Sequence, residues 1–448
     1  MLTRKDIFII RTFFILFWVL GCFGFIYQEL IPPFESLFTP INVMADLLIV
    51  LLGIMCISHK FQILYLSVFI VISLVSTCVV NELSLSNWVY GMRVFISILF
   101  LPIIFRYIWD KKELFDKFSK DIDKHLIAWL LLQALCVTEQ FFRYGPGDHG
   151  GGSIGDSASN IISISIYFFS FFLMRKRIDP HNVFQSIKKN IWIVILLFPS
   201  FLNETKVSFI FFIMYITLLF PIDKKYVKRL ILIIPPSSLI LGSAFWLYMS
   251  TVDRAEDMTN PTFLMEEYLY GDYTVDELAA GVDWILANET NIPDMPRFTK
   301  IAFIPYIIEQ NSNNWFFGNG TVGFNGSIDN PNLPKSIQDS NWFYFGTNPT
   351  ICNFVVQVGI LGTLTIFWIL WMLYSMRIPN YTIEKNIKIY SFICFIILLF
   401  YSDILKTPIC SIIFFMFLFL AWKPDEKANS LESSDQQSET AVEIVQIS

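Results

Sequence analysis

Cations in unexpected places carry the chemistry that can be read from this sequence. Most of its 32 lysines and arginines lie in short polar segments between apolar runs. The informative ones fall outside that pattern: Arg93, Arg143, Lys206, Arg254, Arg297, Lys300, Lys335 and Lys406. Arg93 sits about five residues inside an apolar run that begins near Trp88, where an ionised group is costly unless it faces a polar cavity or a partner. Lys206 closes the tight turn Asn203-Glu-Thr-Lys206 between two short apolar runs. Arg297 opens the amphipathic stretch Arg297-Phe-Thr-Lys-Ile-Ala-Phe-Ile-Pro-Tyr-Ile-Ile-Glu309, with Lys300 in its first turn. Brought together, Arg297, Lys206 and Arg93 would suit a doubly charged phosphate, because arginine grips phosphate with a bidentate fork and lysine acts as a point charge. Each also has a simpler reading. Arg93 can snorkel to lipid headgroups, Lys206 can cap a turn, and Arg297 can form a solvated ion pair with Asp294.

Glycines and carboxylates supply the other parts such a site needs. The stretch Phe316-Phe-Gly-Asn-Gly-Thr-Val-Gly-Phe324 contains a Gly318-x-Gly320 turn, and the chain re-enters an apolar run at Asn348-Pro-Thr350. Gly318 and Gly320 taken alone mark only a turn. Gly359 and Gly362 share a helix face and read first as a small-residue packing surface. A second glycine-rich loop, Arg143-Tyr-Gly-Pro-Gly-Asp-His-Gly-Gly-Gly-Ser-Ile-Gly-Asp-Ser157, can bring backbone N–H groups close to a phosphate or sugar, or can be a plain hairpin between helices. The expected substrate-binding set is Arg143, Lys300, Gly318, Gly320 and Asn348, beside the catalytic set Arg297, Lys206 and Arg93. A general base is not singled out among Glu309, Asp329, Asp339 and His149. The seven cysteines, Cys22, Cys56, Cys78, Cys136, Cys352, Cys394 and Cys410, lie in or beside apolar runs without a Cys-x-x-Cys pair. The expectation is no disulfide framework, no metal site and no cofactor.

These groups must be positioned by a membrane domain. A chain of 448 residues that is 54% hydrophobic and 16% charged, with mean hydropathy +0.55, carries more apolar surface than one soluble core can bury. Apolar runs near 7–27, 40–57, 62–80, 89–108, 125–142, 158–174, 190–202, 206–221, 230–250, 351–374, 388–403 and 408–422 give an all-α polytopic fold of about 12 transmembrane helices. With residue 1 inside, about 23 of the 32 lysines and arginines fall on the cytoplasmic side, which places both termini there. Residues 1–250 then hold nine helices and residues 351–422 three more. Between them, residues 251–350 form an outer loop with roughly fourteen acidic against four basic residues, rich in aromatics and expected to be mostly helical. Residues 423–448 read as a polar, low-complexity cytoplasmic tail. The first apolar run has no small-residue cleavage site and reads as a retained helix. The chain shows no internal repeat, which disfavours a repeat-built transporter.

An arginine, an amphipathic helix, a Gly-x-Gly turn, then Asn348-Pro349 before a membrane helix carrying Gly359-Ile-Leu-Gly362 resembles the O-antigen polymerase and O-antigen ligase superfamily. The specific part of the resemblance runs from Arg297 to Gly362, and similarity of topology covers roughly residues 90–375. Arg297 matches the loop arginine of that superfamily, and Thr205-Lys206 matches in part a Thr-x-Ser-Arg-like turn. Ser157-Ala-Ser-Asn160 resembles its polar entry to the sixth span. The resemblance implies a GT-C-like, metal-independent glycosyltransferase of a bacterial cytoplasmic membrane. Its substrate would be an undecaprenyl-pyrophosphate-linked oligosaccharide, its product O-antigen, capsule or exopolysaccharide, and its partners membrane lipids and a chain-length regulator, with no nucleic acid. Ligases of the superfamily carry a His-Asn pair where this chain has Asn348-Pro349, and no histidine lies in residues 251–350. That difference favours the polymerase, with the ligase as the alternative. A flippase or other transporter of lipid-linked glycans is the reading from a different class, and the hundred-residue aromatic loop counts against it.

Overall fold

The computed structural model describes residues 2–26, 37–145, 150–155, 158–175, 177–179, 182–202, 207–220, 297–311, 314–321, 349–375, 382–401 and 408–420. These are helical, with no strand among the described residues. The helices are α1 (Arg4–Phe25), α2 (Phe38–Cys56), α3 (Lys60–Leu74, continued by a π-helical turn Val75–Val80), α4 (Leu85–Asp110), α5 (Lys112–Tyr144) and α6 (Ser159–Arg175). The short α7 (Val183–Lys189), α8 (Ile191–Ile195) and α9 (Pro199–Leu202) precede α10 (Val207–Leu218). The chain continues as α11 (Arg297–Asn311), α12 (Thr350–Ser375), α13 (Thr382–Tyr401) and α14 (Pro408–Leu420).

Among the described residues four stretches are long and apolar enough to cross a bilayer: Lys60–Val80, Leu85–Asp110, Lys112–Tyr144 and Thr350–Met372. Pro40–Cys56, Ile161–Arg175, Ile191–Leu202 and Asn386–Phe400 are shorter apolar helices. Their outward faces carry large apolar side chains, such as Leu47, Leu51 and Ile54 of α2 and Ile63, Leu64 and Val71 of α3. Water would make such faces a liability, whereas lipid accepts them. Several of the expected apolar runs therefore fold as membrane helices, while the run 230–250, most of the loop 251–350 and the tail 423–448 lie outside the described residues.

Helix α6 is the hub of the bundle. Every residue from Ile162 to Met174 is buried, which fits a helix that is apolar on all sides. Phe171 stacks on Tyr390 of α13 with ring centroids 5.2 Å apart and meets Tyr215 of α10 edge-on at 5.6 Å. Hydroxyl pairs Tyr167–Ser200 and Ser170–Tyr215, each at 2.8 Å, tie the same helices. Where neighbours are as apolar as the lipid, such polar pairs and close packing drive helix association. The run 190–202 is broken between α8 and α9 just before Pro199, because proline disfavours helical backbone in the residue ahead of it. Phe201 packs edge-on against Phe212 at 5.2 Å, so α9 and α10 lie side by side.

At the opposite end of α1 and α4 from the glycine turns, Asp6 is fixed by three groups. Lys111 Nζ and Tyr107 Oη each donate to Asp6 Oδ1 at 2.9 Å, and Thr3 Oγ1 donates to Oδ2 at 2.7 Å. Burial pushes the Asp6 carboxyl up, but the hydrogen bonds from Lys111, Thr3 and Tyr107 outweigh it and hold the group well below the usual carboxylate range. This cluster latches the start of α1 to the junction of α4 and α5.

Candidate functional site

Helix α11 forms where the sequence shows its amphipathic run, and its apolar face is turned inward. Ile304, Ile307 and Ile308 are buried, and the same stripe continues one turn back through Lys300 and half-buried Arg297. Lys300 is 0% exposed, an uncommon place for an ammonium, which water solvates strongly. Ala302, Pro305 and Glu309 occupy the exposed side. Pro305 lies within the helix, and its exposed position lets water reach the carbonyl that the missing N–H leaves without a helical partner. Helix α11 packs on α12 and α13, so the two cations of its first turn point into the protein.

The Gly-x-Gly turn follows and docks onto a break in α12. At Gly359 the backbone leaves helical geometry, with φ 63° and ψ −167°, a region that only glycine visits without strain. The break exposes helix ends in mid-bundle, and the turn satisfies them. Ile360 N donates to Trp315 O at 2.9 Å and Leu361 N to Phe316 O at 3.1 Å, while Asn319 N donates to Val356 O at 2.7 Å. The approach is backbone to backbone. A Cβ on Gly359 would lie 2.4 Å from Phe316 O, and one on Gly318, whose φ is +68°, would lie 2.6 Å from Val356 O. Asn319 Nδ2 also donates to Ile307 O at 3.1 Å, which joins α11 to the same unit.

The third wall is the π-helical end of α3. A π turn leaves carbonyls and side chains out of register with the α ladder, so they can bond elsewhere. Asn81 Nδ2 donates to Gly318 O at 2.9 Å, Ser76 Oγ donates to Phe317 O, and Thr321 N donates to Thr77 Oγ1 at 2.9 Å. The amides of Gly318, Asn319 and Thr321 are thus engaged by Asn314 O, Val356 O and Thr77 Oγ1. Gly318 and Gly320 act here as a wedge that fixes α11 against α12 and α3.

The other glycine-rich loop is also inserted among helices. Residues 152–154 form a 3₁₀ turn between α1 and α5. Gly152 N donates to Gln140 Oε1 and Ser153 N to Gln133 Oε1, both at 2.8 Å, and Ser153 Oγ donates to Gly21 O. Gly24 permits the approach, since a Cβ there would overlap Ile154 O at 1.5 Å. Gln133 lies eleven positions before Tyr144, so Ser153 reaches ~16 Å down the axis of α5. In the sequence the glycines of this loop stand out more than Gln133 and Gln140. The signal was present, because two glutamines seven apart share a face of an apolar run.

The remaining expected residues separate. Arg143 is at the surface, ion-paired with Glu139 one turn earlier and hydrogen-bonded to Tyr144 Oη. Arg93 projects from α4 toward α2, where Nε donates to Asp46 Oδ2 at 2.9 Å. Phe95, two residues on and across the helix, faces α12 through Phe354 at 6.0 Å. Arg93 is therefore directed away from the side on which α11 packs. Asp46 was not anticipated, although it is the one acidic residue in the apolar run 40–57. Lys206, Asn348, His149, Asp329 and Asp339 lie outside the described residues, as does Asp294. The structure thus places Arg297 and Lys300 one turn apart at the start of α11 and seats the Gly318–Gly320 turn against the same helix at Ile307, and it gives Arg93 and Arg143 carboxylate partners elsewhere. Among the described residues no group of three or more histidine, cysteine or acidic side chains is gathered as a metal site. No known protein-family model matches the chain, and no curated protein is significantly similar to it.

Proposed function

We propose that this protein is a polymerase of lipid-linked oligosaccharide repeat units in a bacterial cytoplasmic membrane. It transfers the growing glycan from undecaprenyl pyrophosphate to the next repeat unit on the outer side. In this reading the chain crosses the membrane about twelve times, both termini are cytoplasmic, and residues 251–350 form the outer loop. The observation that carries it is the pair Arg297 and Lys300, one turn apart on the inward face of a helix locked to a broken membrane helix.

The chemistry follows from charge. Pyrophosphate is already a good leaving group, so the acceptor hydroxyl attacks the anomeric carbon, the C–O bond to phosphate breaks, and the negative charge grows on the departing pyrophosphate. Cations preorganised at that position stabilise the charge without rearranging. Arg297 offers a planar fork to two phosphate oxygens, and Lys300 adds a point charge held away from water. Lys206 and Asn348 complete the substrate contacts in this reading, and a carboxylate of the loop takes the proton from the attacking hydroxyl. Arg93 and Arg143, paired with Asp46 and Glu139, stand outside this set.

A broken membrane helix is also a feature of transporters, where half-helix ends point at a substrate. Here Trp315, Phe316 and Asn319 occupy those ends, which favours the enzyme. The test is Arg297→Ala in cells. Membrane level stays normal, long chains disappear, and single repeat units remain attached to their acceptor, with a loss of roughly 10²–10³ in rate. Loss of even the single unit points to the ligase or a flippase, and an unchanged ladder removes Arg297 from the mechanism.

A further inference from the structure

We infer that Asp46 and Arg93 form a second, separate anion site, at the lipid-facing seam of α2 and α4, which holds a phosphate group borne by a membrane lipid. An aspartate and an arginine lie here in the apolar stretch of two membrane helices. Removing such a pair from water is costly, and an apolar pair would hold the helices as well. The geometry of the pair shows a use. Asp46 is 6% exposed and accepts from Nε at 2.9 Å, while Arg93 remains 27% exposed. Among the described residues the bond to Asp46 is made through Nε alone, so the edge that carries both terminal nitrogens can face another acceptor. The Tyr90 ring, 5.8 Å from the guanidinium carbon, limits how the plane can turn. A guanidinium held at Nε by a buried carboxylate and flanked by an aromatic ring is an aimed donor, not a free snorkelling chain.

The surroundings identify the ligand. Leu47 follows Asp46 and is 59% exposed, and Val89 and Tyr90, which precede Arg93 by one turn, are 57% and 43% exposed. The open edge of Arg93 therefore looks into lipid. It lies nine residues from the Ser84 cap of α4, ~13 Å along the axis, within reach of the headgroup level for a side chain of this length. The acceptor available there is a phosphate ester or diphosphate on a lipid, which takes two parallel N–H donors from one guanidinium. Asp46 Oδ1 is buried and has no hydrogen-bond partner among the described residues, so the carboxyl is engaged through Oδ2 on the Arg93 side of the seam. Asp46 is a positioning residue in this scheme, and Arg93 is the ligand contact. The site stands apart from α11, and the inference holds whether or not the protein joins glycans, because lipid retention is read without turnover.

The experiment is native mass spectrometry of the purified full chain, titrated with undecaprenyl diphosphate, phosphatidylglycerol or dioleoylglycerol, with monodispersity checked in parallel. Wild-type protein should retain the two phosphate lipids above dioleoylglycerol, and Arg93→Gln should reduce that retention about tenfold, the size of a lost charge-assisted contact. Asp46→Asn should lose several-fold with Arg93 still present. Arg93→Lys keeps a charge for Asp46 and preserves the fold, but without the second donor edge it should lose a similar amount. The double variant Asp46→Arg with Arg93→Asp restores the ion pair on exchanged helices and should stay defective. Selective retention of the diphosphate identifies the lipid-linked carrier, and equal retention of both phosphate lipids identifies a bulk phospholipid, each in keeping with the site. Equal retention of dioleoylglycerol, or full recovery in the exchanged pair, overturns the inference and leaves the pair as a helix tie.

Discussion

Two turns enter the helical bundle, and the bundle receives them by opposite means. The Gly152–Ile154 turn is bound by side chains of an intact helix: Gln133 and Gln140 of α5 supply acceptors while the ladder of α5 continues unbroken. The Asn314–Thr321 turn is bound by the backbone of a helix that breaks to meet it, with Gly359 at the break. Irregular backbone within a membrane domain must find partners inside the protein, and both solutions satisfy that rule. They differ in rigidity. A glutamine can change rotamer and let its turn shift, whereas two backbones in direct contact at 2.7–3.1 Å leave no such freedom. The rigid solution is the one attached to α11, with its paired cations Arg297 and Lys300. A site that must hold charges within fractions of an ångström of a reacting group gains from that choice.

The largest effect is expected at Gly359. Gly359→Ala places a Cβ against Phe316 O and forces a glycine-only conformation, so the turn must leave its seat. The expected cost is roughly 3–5 kcal/mol, a sum of backbone strain and steric overlap. It should appear as a lower melting temperature in detergent and faster proteolysis between α11 and α12. A melting curve equal to wild type would show that the break is not required.

Gln133→Leu should be milder. It keeps the shape of α5 and strands Ser153 N, which costs about 1–3 kcal/mol for a buried donor without a partner. Hydrogen exchange at residues 150–155 is the direct readout. Faster exchange confined to that turn, with α11 and α12 unchanged, supports two independent insertions. Acceleration at both turns would mean they are coupled.

The smallest effect is expected far from either turn, at the Asp6 latch. Its folded-state pKa lies below the unfolded value, so its stabilising contribution is complete above the ordinary carboxylate range and fades as pH falls through the depressed value. Asp6→Asn should therefore lower the melting temperature slightly at neutral pH and cease to differ from wild type only in strong acid. A difference that vanished already near pH 5 would contradict the assigned direction.

How much of this was readable beforehand varies with the kind of interaction. Helices α2, α3, α4, α6, α12 and α13 follow the apolar runs within a few residues, because burial in lipid or protein needs only hydrophobic length. Helix α11 was legible from its 3.6-residue periodicity, and Lys300 and Arg297 came with it. The spacing of Gly318, Gly320 and Gly359 marked a related set, but not that the first two would wedge into a break at the third. That contact joins residues about forty apart through backbone atoms, which leave no side-chain signature in a sequence. Asp46 was hidden for a similar reason: a lone acid in an apolar run announces a partner without naming it. The short run 190–202 implied a tilted or broken helix, and the break falls just before Pro199, the residue that disfavours helical backbone ahead of it.

In the proposed function, cations on α11 stabilise a pyrophosphate leaving group during glycan joining. The most direct measurement reconstitutes the full chain in lipid nanodiscs with an undecaprenyl-pyrophosphate-linked repeat unit and a chelator, and reads both the glycan ladder and the released undecaprenyl pyrophosphate. One undecaprenyl pyrophosphate should be released for each unit added, with activity retained in the chelator. Arg297→Ala should bring a fall of roughly 10²–10³ that Arg297→Lys does not repair, since a point charge cannot replace the planar fork. Wild-type protein that binds the substrate yet forms no ladder, or Arg297→Ala that extends chains at the normal rate, would contradict the proposed function.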